Sequence, residues 1–190
     1  MVIMPRLVGV TAVVALLGGL AGAPASAAVI ENSHFAESGT FDVGCPGING
    51  EGRFVEDVHL LLRTTGRDGL VYFAVNVRGS TTYTNLDTGK TFTSLYTFTD
   101  RDLDVTDNGD GTLTITISNP FVFRYLDPDG RLLFVDAGNF RGQFLVDHGG
   151  TPTDPDDDVE IPDSFTVLKE VGSAQTAGRN FCEDFALFTA

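Results

Sequence analysis

The densest chemistry in this chain is a run of carboxylates, Asp147-His148-Gly149-Gly150-Thr151-Pro152-Thr153-Asp154-Pro155-Asp156-Asp157-Asp158. Hard cations such as calcium take about six to eight oxygen ligands. Asp154, Asp156, Asp157 and Asp158, helped by backbone carbonyls, are the side chains here that could supply them. The spacing does not follow the helix-loop-helix calcium motif. The competing reading is a solvated acidic loop, the usual fate of a charge run. Calcium is the one cofactor these residues bring into question.

A second acidic stretch, Asp107-Asn108-Gly109-Asp110-Gly111, has its carboxylates at the first and fourth positions. That spacing does not alternate as a calcium loop does, whereas Asn-Gly and Asp-Gly are what a tight hairpin turn needs. The turn reading accounts for every residue in it.

The histidines are His34, His59 and His148. His59 shares a strand face with Asp57 and Arg63 by period two. A carboxylate two residues away can orient an imidazole for base work, so Asp57 and His59 are the candidates for an enzyme. That face lies opposite Val58, Leu60 and Leu62, which makes it the solvent face. No G-x-S-x-G, H-E-x-x-H or phosphate-binding glycine loop is present, so nucleophilic, zinc-hydrolase and nucleotide readings have no motif behind them. No residue is assigned a catalytic role.

What must position these groups begins with export. Arg6 precedes an apolar run from Leu7 to Leu20, which is followed by Ala25-Ser26-Ala27. A basic residue, an apolar stretch and an A-x-A site, in that order, read as a cleavable secretory leader over 1–27. A membrane-spanning helix needs about 20 apolar residues, and this run is shorter and interrupted by Gly9, Gly18 and Gly19. Residues 28–190 are then a single secreted domain with no later membrane span. Localisation is extracellular.

The chain carries a formal net charge of −14, and loss of Arg6 with the leader makes it more negative still. Nucleic acid is excluded as a partner, because its binding rests on phosphate neutralisation by Lys and Arg. The apolar content of 42%, with 15 phenylalanines, is enough to build a core, so the domain is not disordered. Two cysteines, Cys45 and Cys182, allow one intramolecular pairing. In an oxidising compartment this reads as a disulfide, the alternative being two buried thiols.

Period-two alternation dominates the mature chain. Leu113, Ile115 and Ile117 alternate with threonines and Ser118, and residues 101–118 read as a hairpin. The same pattern places Phe54, Val58, Leu60 and Leu62 on one face. It does so again for Val71, Phe73, Val75 and Val77, for Phe92, Tyr96 and Phe98, and for Phe121, Phe123 and Tyr125. After the Asp127-Pro128-Asp129-Gly130 turn come Leu132 and Phe134. Phe140, Phe144 and Val146 follow a break at Gly138. Phe165 and Val167 mark another strand, and Phe181, Phe185 and Leu187 a closing one. The expected fold is all-β: an antiparallel meander of about 8–10 strands forming a closed or nearly closed barrel, or else a two-sheet sandwich. A disulfide from the first strand to the last would suit the barrel.

Four segments resemble a group of small secreted proteins of actinobacteria: Thr84 to Thr91, Val105 to Thr114 (VTDNGDGTLT), Asp147 to Asp158 and Gly178 to Asp184 (GRNFCED). The resemblance implies export and a β architecture. The group has no assigned activity, so it brings no catalytic residues. The likeness to lipocalin-type barrels is one of architecture only, since the G-x-W signature is absent from a chain without tryptophan.

The first functional reading is a secreted, non-enzymatic β-barrel module. It would bind a small apolar ligand or an extracellular protein partner, with the clustered phenylalanines either lining a cavity or filling a core. The second is an extracellular structural or interaction protein with a solid interior. The third is a barrel-type enzyme using Asp57 and His59.

Overall fold

The structure, a computed structural model, describes residues 27–66 and 68–190. The leader read over 1–27 lies, apart from Ala27, outside the described residues. Turns rich in Gly, Asp and Asn at 44–49, 86–90, 108–111 and 127–131, and the connection that includes 66, 68 and 69, reverse the chain five times. They separate six long strands: β1 (Val29–Val43), β2 (Gly50–Thr65), β3 (Leu70–Asn85), β4 (Thr91–Asp107), β5 (Thr112–Leu126) and β6 (Leu132–Asp147). Two short elements follow, β7 (Val159–Glu160) and β8 (Thr166–Ala174), and then the helix α1 (Phe181–Thr189).

The turn expected at Asp107–Gly111 forms as its residues dictate. Gly109 takes φ 74°. The Asp107 carboxylate accepts from Gly109 N–H at 2.8 Å, and that of Asp110 from Thr112 N–H at 3.1 Å. The Thr112 hydroxyl first, and then the Thr112 N–H, hold the Asp110 carboxyl below the ordinary carboxylate range.

All pairings are antiparallel, and the order is β1-β2-β3-β4-β5-β6. The far edge of β6 takes β7 at Val146 and Asp147, and β8 from Asp136 to Gln143. The meander is therefore one eight-stranded sheet. Among the described residues β1 pairs with β2 alone, so the sheet does not close on itself as the fully closed form of the expected barrel would.

The ladder registers put one apolar set on a single face. Phe41, Gly52, Tyr83 and Phe92 form one row across β1–β4; Phe54 opposes Thr81, Val58 opposes Val77 and Phe98 opposes Phe121. Phe134, Phe140, Phe144 and Val146 continue this face on β6. We call it the aromatic face. Its opposite carries His34, Asp57, His59, Asn76 and Arg78, and is the polar face.

Two buried clusters lie at the ends of the aromatic face, with the opposed pair Val58 and Val77 buried between them. At one end Val105, Leu113, Ile115 and Val146 form a cluster with Leu70. At the other end Phe92 and Phe185, 2% and 0% exposed, pack with Cys45. Each such side chain contributes about 1.5–3 kcal/mol by leaving water.

Three sequence expectations need correction. The closing strand over Phe181, Phe185 and Leu187 is the helix α1. Phe181, Phe185 and Phe188 recur at helical spacing, so Leu187 is left out of the packed stripe and is 67% exposed. The Asn180 side chain caps the helix by accepting from Cys182 N–H at 2.9 Å, and Glu183 and Asp184 in the first turn favour its positive end. Gly138 does not break β6. It sits inside the strand, opposite Phe121. The strand count of eight lies within the expected range, and β1 is a full strand that alternation did not reveal. Finally, the Cys45–Cys182 disulfide forms across a sequence separation of 137, but it joins the β1–β2 turn to the first turn of α1 rather than strand to strand.

Candidate functional site

The polar face brings Asp57 and His59 onto one surface but does not pair them. His34 and His59 are directly opposed across β1 and β2. Asp57 sits diagonally from His34, and its carboxylate meets His34 Nε2 at 2.9 Å. His59 Nε2 instead meets Asn32 Oδ1 at 2.7 Å. The carboxylate thus orients the histidine that the sequence reading passed over. The cross-strand register, invisible in one strand's spacing, decides this. The side chains of His34 and Asp57 are 65% and 61% exposed, so an imidazole there works in bulk solvent on an open sheet. Asn76 and Arg78 complete the shallow depression.

The Asp-rich segment folds on itself. Asp154 caps the short 3-10 turn Pro155–Asp157 by accepting from Asp156 N–H at 3.2 Å. Asp157 accepts from the Thr151 hydroxyl. His148 is buried, 6% exposed, with Nδ1 accepting from Gly150 N–H at 3.2 Å. Among the described residues no three His, Cys, Asp or Glu side chains stand together as a metal-holding set.

The aromatic face is the third candidate. Between its two packed ends lies a band of half-buried rings, Tyr96, Phe98, Phe121 and Phe123. Tyr96 stacks on Phe123 at 5.7 Å and on Phe98 at 6.4 Å, and Phe121 leans on Phe123 at 5.9 Å. The one polar tip in the band is tied down: the Tyr96 hydroxyl donates to Glu56. Burial, and then that carboxylate, push the Tyr96 phenol up to about 12. The ring contacts of α1 fall on Tyr83, Phe92 and Phe134, at one end of the face.

The pairing of Glu56 with Tyr96 escaped the sequence reading, since no motif links residues two strands apart. Register supplies the link: Glu56 opposes Gly79, and Gly79 opposes Tyr96. The glycine between them lets the two side chains meet. No protein-family model, no curated protein and no solved structure matches the chain.

Proposed function

We propose that the protein is a secreted, non-enzymatic binding module that holds a small apolar ligand against the middle of its aromatic face. One observation carries this reading. The Tyr96–Phe98–Phe121–Phe123 band is a contiguous, half-buried aromatic surface between two packed ends, with its single polar tip already satisfied by Glu56. Ligand sites are mostly apolar with few polar groups, and aromatic rings offer large rigid contact area. In this reading the sheet curls toward a barrel, with β1 and β8 as its two lips.

The test is native mass spectrometry of protein taken from the producing cell, with solvent extraction of whatever is bound, and titration of a naphthalene-sulfonate dye. A bound apolar molecule, and dye binding weakened in Phe123→Ala, are the expected results. A ligand-free protein whose dye signal is unchanged by Phe123→Ala would sink the reading.

A second reading is favoured by the β1 edge. Its 15 residues are mostly exposed, and Val29, Ile30, Phe35 and Phe41 are among them. Unpaired strand edges are templates for an added strand. In that case the protein is an extracellular interaction protein. Cross-linking at Phe35 in the culture medium would then trap a protein partner, and failure to trap one counts against it.

A further inference from the structure

Where the first turn of α1 meets the aromatic face there is a cavity of about 180 Å³, separate from the ring band described above. Phe92, Tyr125, Phe134 and Phe181 wall it, together with Arg179 and Asp184. Pockets for drug-sized molecules run to roughly 300–1,000 Å³, so this one takes a headgroup rather than a larger ligand.

Its chemistry is that of a cation box. Aromatic faces are electron-rich and attract a positive charge within about 6 Å of the ring centroid. The chain already places one there: Arg179 Cζ lies 4.1 Å from the Phe134 centroid. Arg179 Nε also donates to the Asp184 carboxylate at 2.8 Å, and Nη2 makes a second bond to it. A second buried carboxylate, Asp136, stands behind the wall, held by Thr176 N–H at 3.1 Å and by the Thr176 hydroxyl. Arg179 and Asp184 offset each other in charge, and Asp136, bonded to the lining residue Thr176, adds a further negative charge behind the Tyr125 side of the wall. The Tyr125 phenol registers this: burial first, and then the charge of Asp136, push it up to about 12.

We propose that this box binds a small organic cation of the quaternary-ammonium class, which displaces the Arg179 guanidinium from Phe134 and takes Asp184 as its counter-ion. Anions are repelled by the two carboxylates. A methylated ammonium suits the walls because its charge is spread over methyl groups and brings no N–H that needs an acceptor. The route is open at one side, where Phe181 is 38% exposed and the Arg179 side chain 37% exposed. Arg179 can therefore swing into water without unpacking the sheet. The acidity of the whole chain, at a net charge of −14, concentrates cations around it.

The experiment is titration of tetramethylammonium chloride into the disulfide-bonded protein, followed by NMR of the Phe134 and Phe181 ring protons. Sodium chloride and tert-butanol serve as the ionic and the neutral, equally bulky controls. The expected result is saturable shifts at those rings with tetramethylammonium only. Arg179→Ala, which removes the resident cation, is expected to bind about tenfold more tightly, the equivalent of ~1.4 kcal/mol. Phe134→Leu is expected to weaken binding. If Arg179→Ala does not fold, Arg179→Gln takes its place. The wild-type titration decides alone if neither folds. Shifts reproduced by tert-butanol or sodium chloride, absence of saturable shifts at Phe134 and Phe181, or a folded Arg179 variant that binds no more tightly would overturn the proposal.

Discussion

The ring of Tyr96 lies across Gly79, its directly opposed partner in the β3–β4 ladder. A Cβ built on that glycine would meet ring carbons at 2.8 and 2.9 Å. The arrangement recurs along the sheet. Phe41 covers its opposed partner Gly52, Phe54 covers Gly39, and Phe121 leans on Gly138. A ring folded over an opposed glycine shields its backbone and pins the register, because a slip by one residue would put every such pair on opposite faces. Glycine thus serves here inside strands, where its usual effect is to weaken them.

Gly79→Ala is expected to destabilise the fold by about 1–3 kcal/mol, the range for an added methyl in a packed site. The new Cβ also meets Glu56 Cγ at 2.9 Å, so the Tyr96–Glu56 bond is strained as well. Chemical denaturation gives the value. In a Tyr96→Ala background the same substitution is expected to cost much less. Equal costs in the two backgrounds would show that the ring is not the obstacle.

Gly138 and Gly172 are opposed across β6 and β8, and there the close approach is between backbones. A Cβ on Gly138 would lie 2.6 Å from the Val171 carbonyl oxygen, and one on Gly172 would lie 2.2 Å from that of Ala137. Backbone cannot rotate aside as a ring can. Gly138→Ala is therefore expected to release β8 while leaving β1–β5 paired. Hydrogen exchange should show lost protection confined to 166–174 and the facing residues of β6. Unchanged protection in β8 would contradict this account.

How much of this was legible from the residues varies by element. The Leu113-Ile115-Ile117 alternation and the Asn-Gly turn fixed the β4–β5 hairpin, since both signals are local. Strand β1 was not legible. Its edge position leaves both faces wet, so little selects for alternation. The Cys45–Cys182 pairing followed from counting, but α1 did not, because Phe181, Phe185 and Leu187 fit a strand as well as Phe181, Phe185 and Phe188 fit a helix until the Asn180 cap is weighed. The His34–Asp57 pair depends on the register between two strands, which one strand's spacing cannot carry.

Reduction of the Cys45–Cys182 bond is expected to act first on α1. The bridge closes a loop of 137 positions, and the chain-entropy model assigns such a loop on the order of 5 kcal/mol, of which 2–5 is commonly observed. The helix has nine residues, too few to persist alone in water. Without the bridge its hold on the sheet is the burial of Phe185, the contacts of Phe181 and Phe188, and the hydrogen bonds that Asn85 and Thr88 donate to Thr189. Cys45→Ser with Cys182→Ser should lower the melting temperature and raise hydrogen exchange in 181–189 before the rest of the sheet. A simultaneous loss of protection in α1 and β4 would show that helix and sheet unfold as one unit.

Alkali is expected to destabilise the protein within a defined window. In an unfolded chain tyrosine loses its proton near pH 10, whereas Tyr96 and Tyr125 hold theirs to about 12 in the folded state. Burial leads in both. For Tyr96 the Glu56 hydrogen bond adds to it, and for Tyr125 the charge of Asp136 does. Between pH 10 and 12 the native state therefore binds more protons than the unfolded state, so stability falls as pH rises. The contribution is intact below pH 10 and is lost above 12. Tyr96→Phe removes one titrating phenol and should flatten the fall. It also takes the donor from Glu56, and so costs about 1 kcal/mol at neutral pH. Denaturation midpoints from pH 9 to 11.5 measure both effects. A Tyr96→Phe, Tyr125→Phe double variant with the same alkaline slope as the parent would place the destabilisation elsewhere.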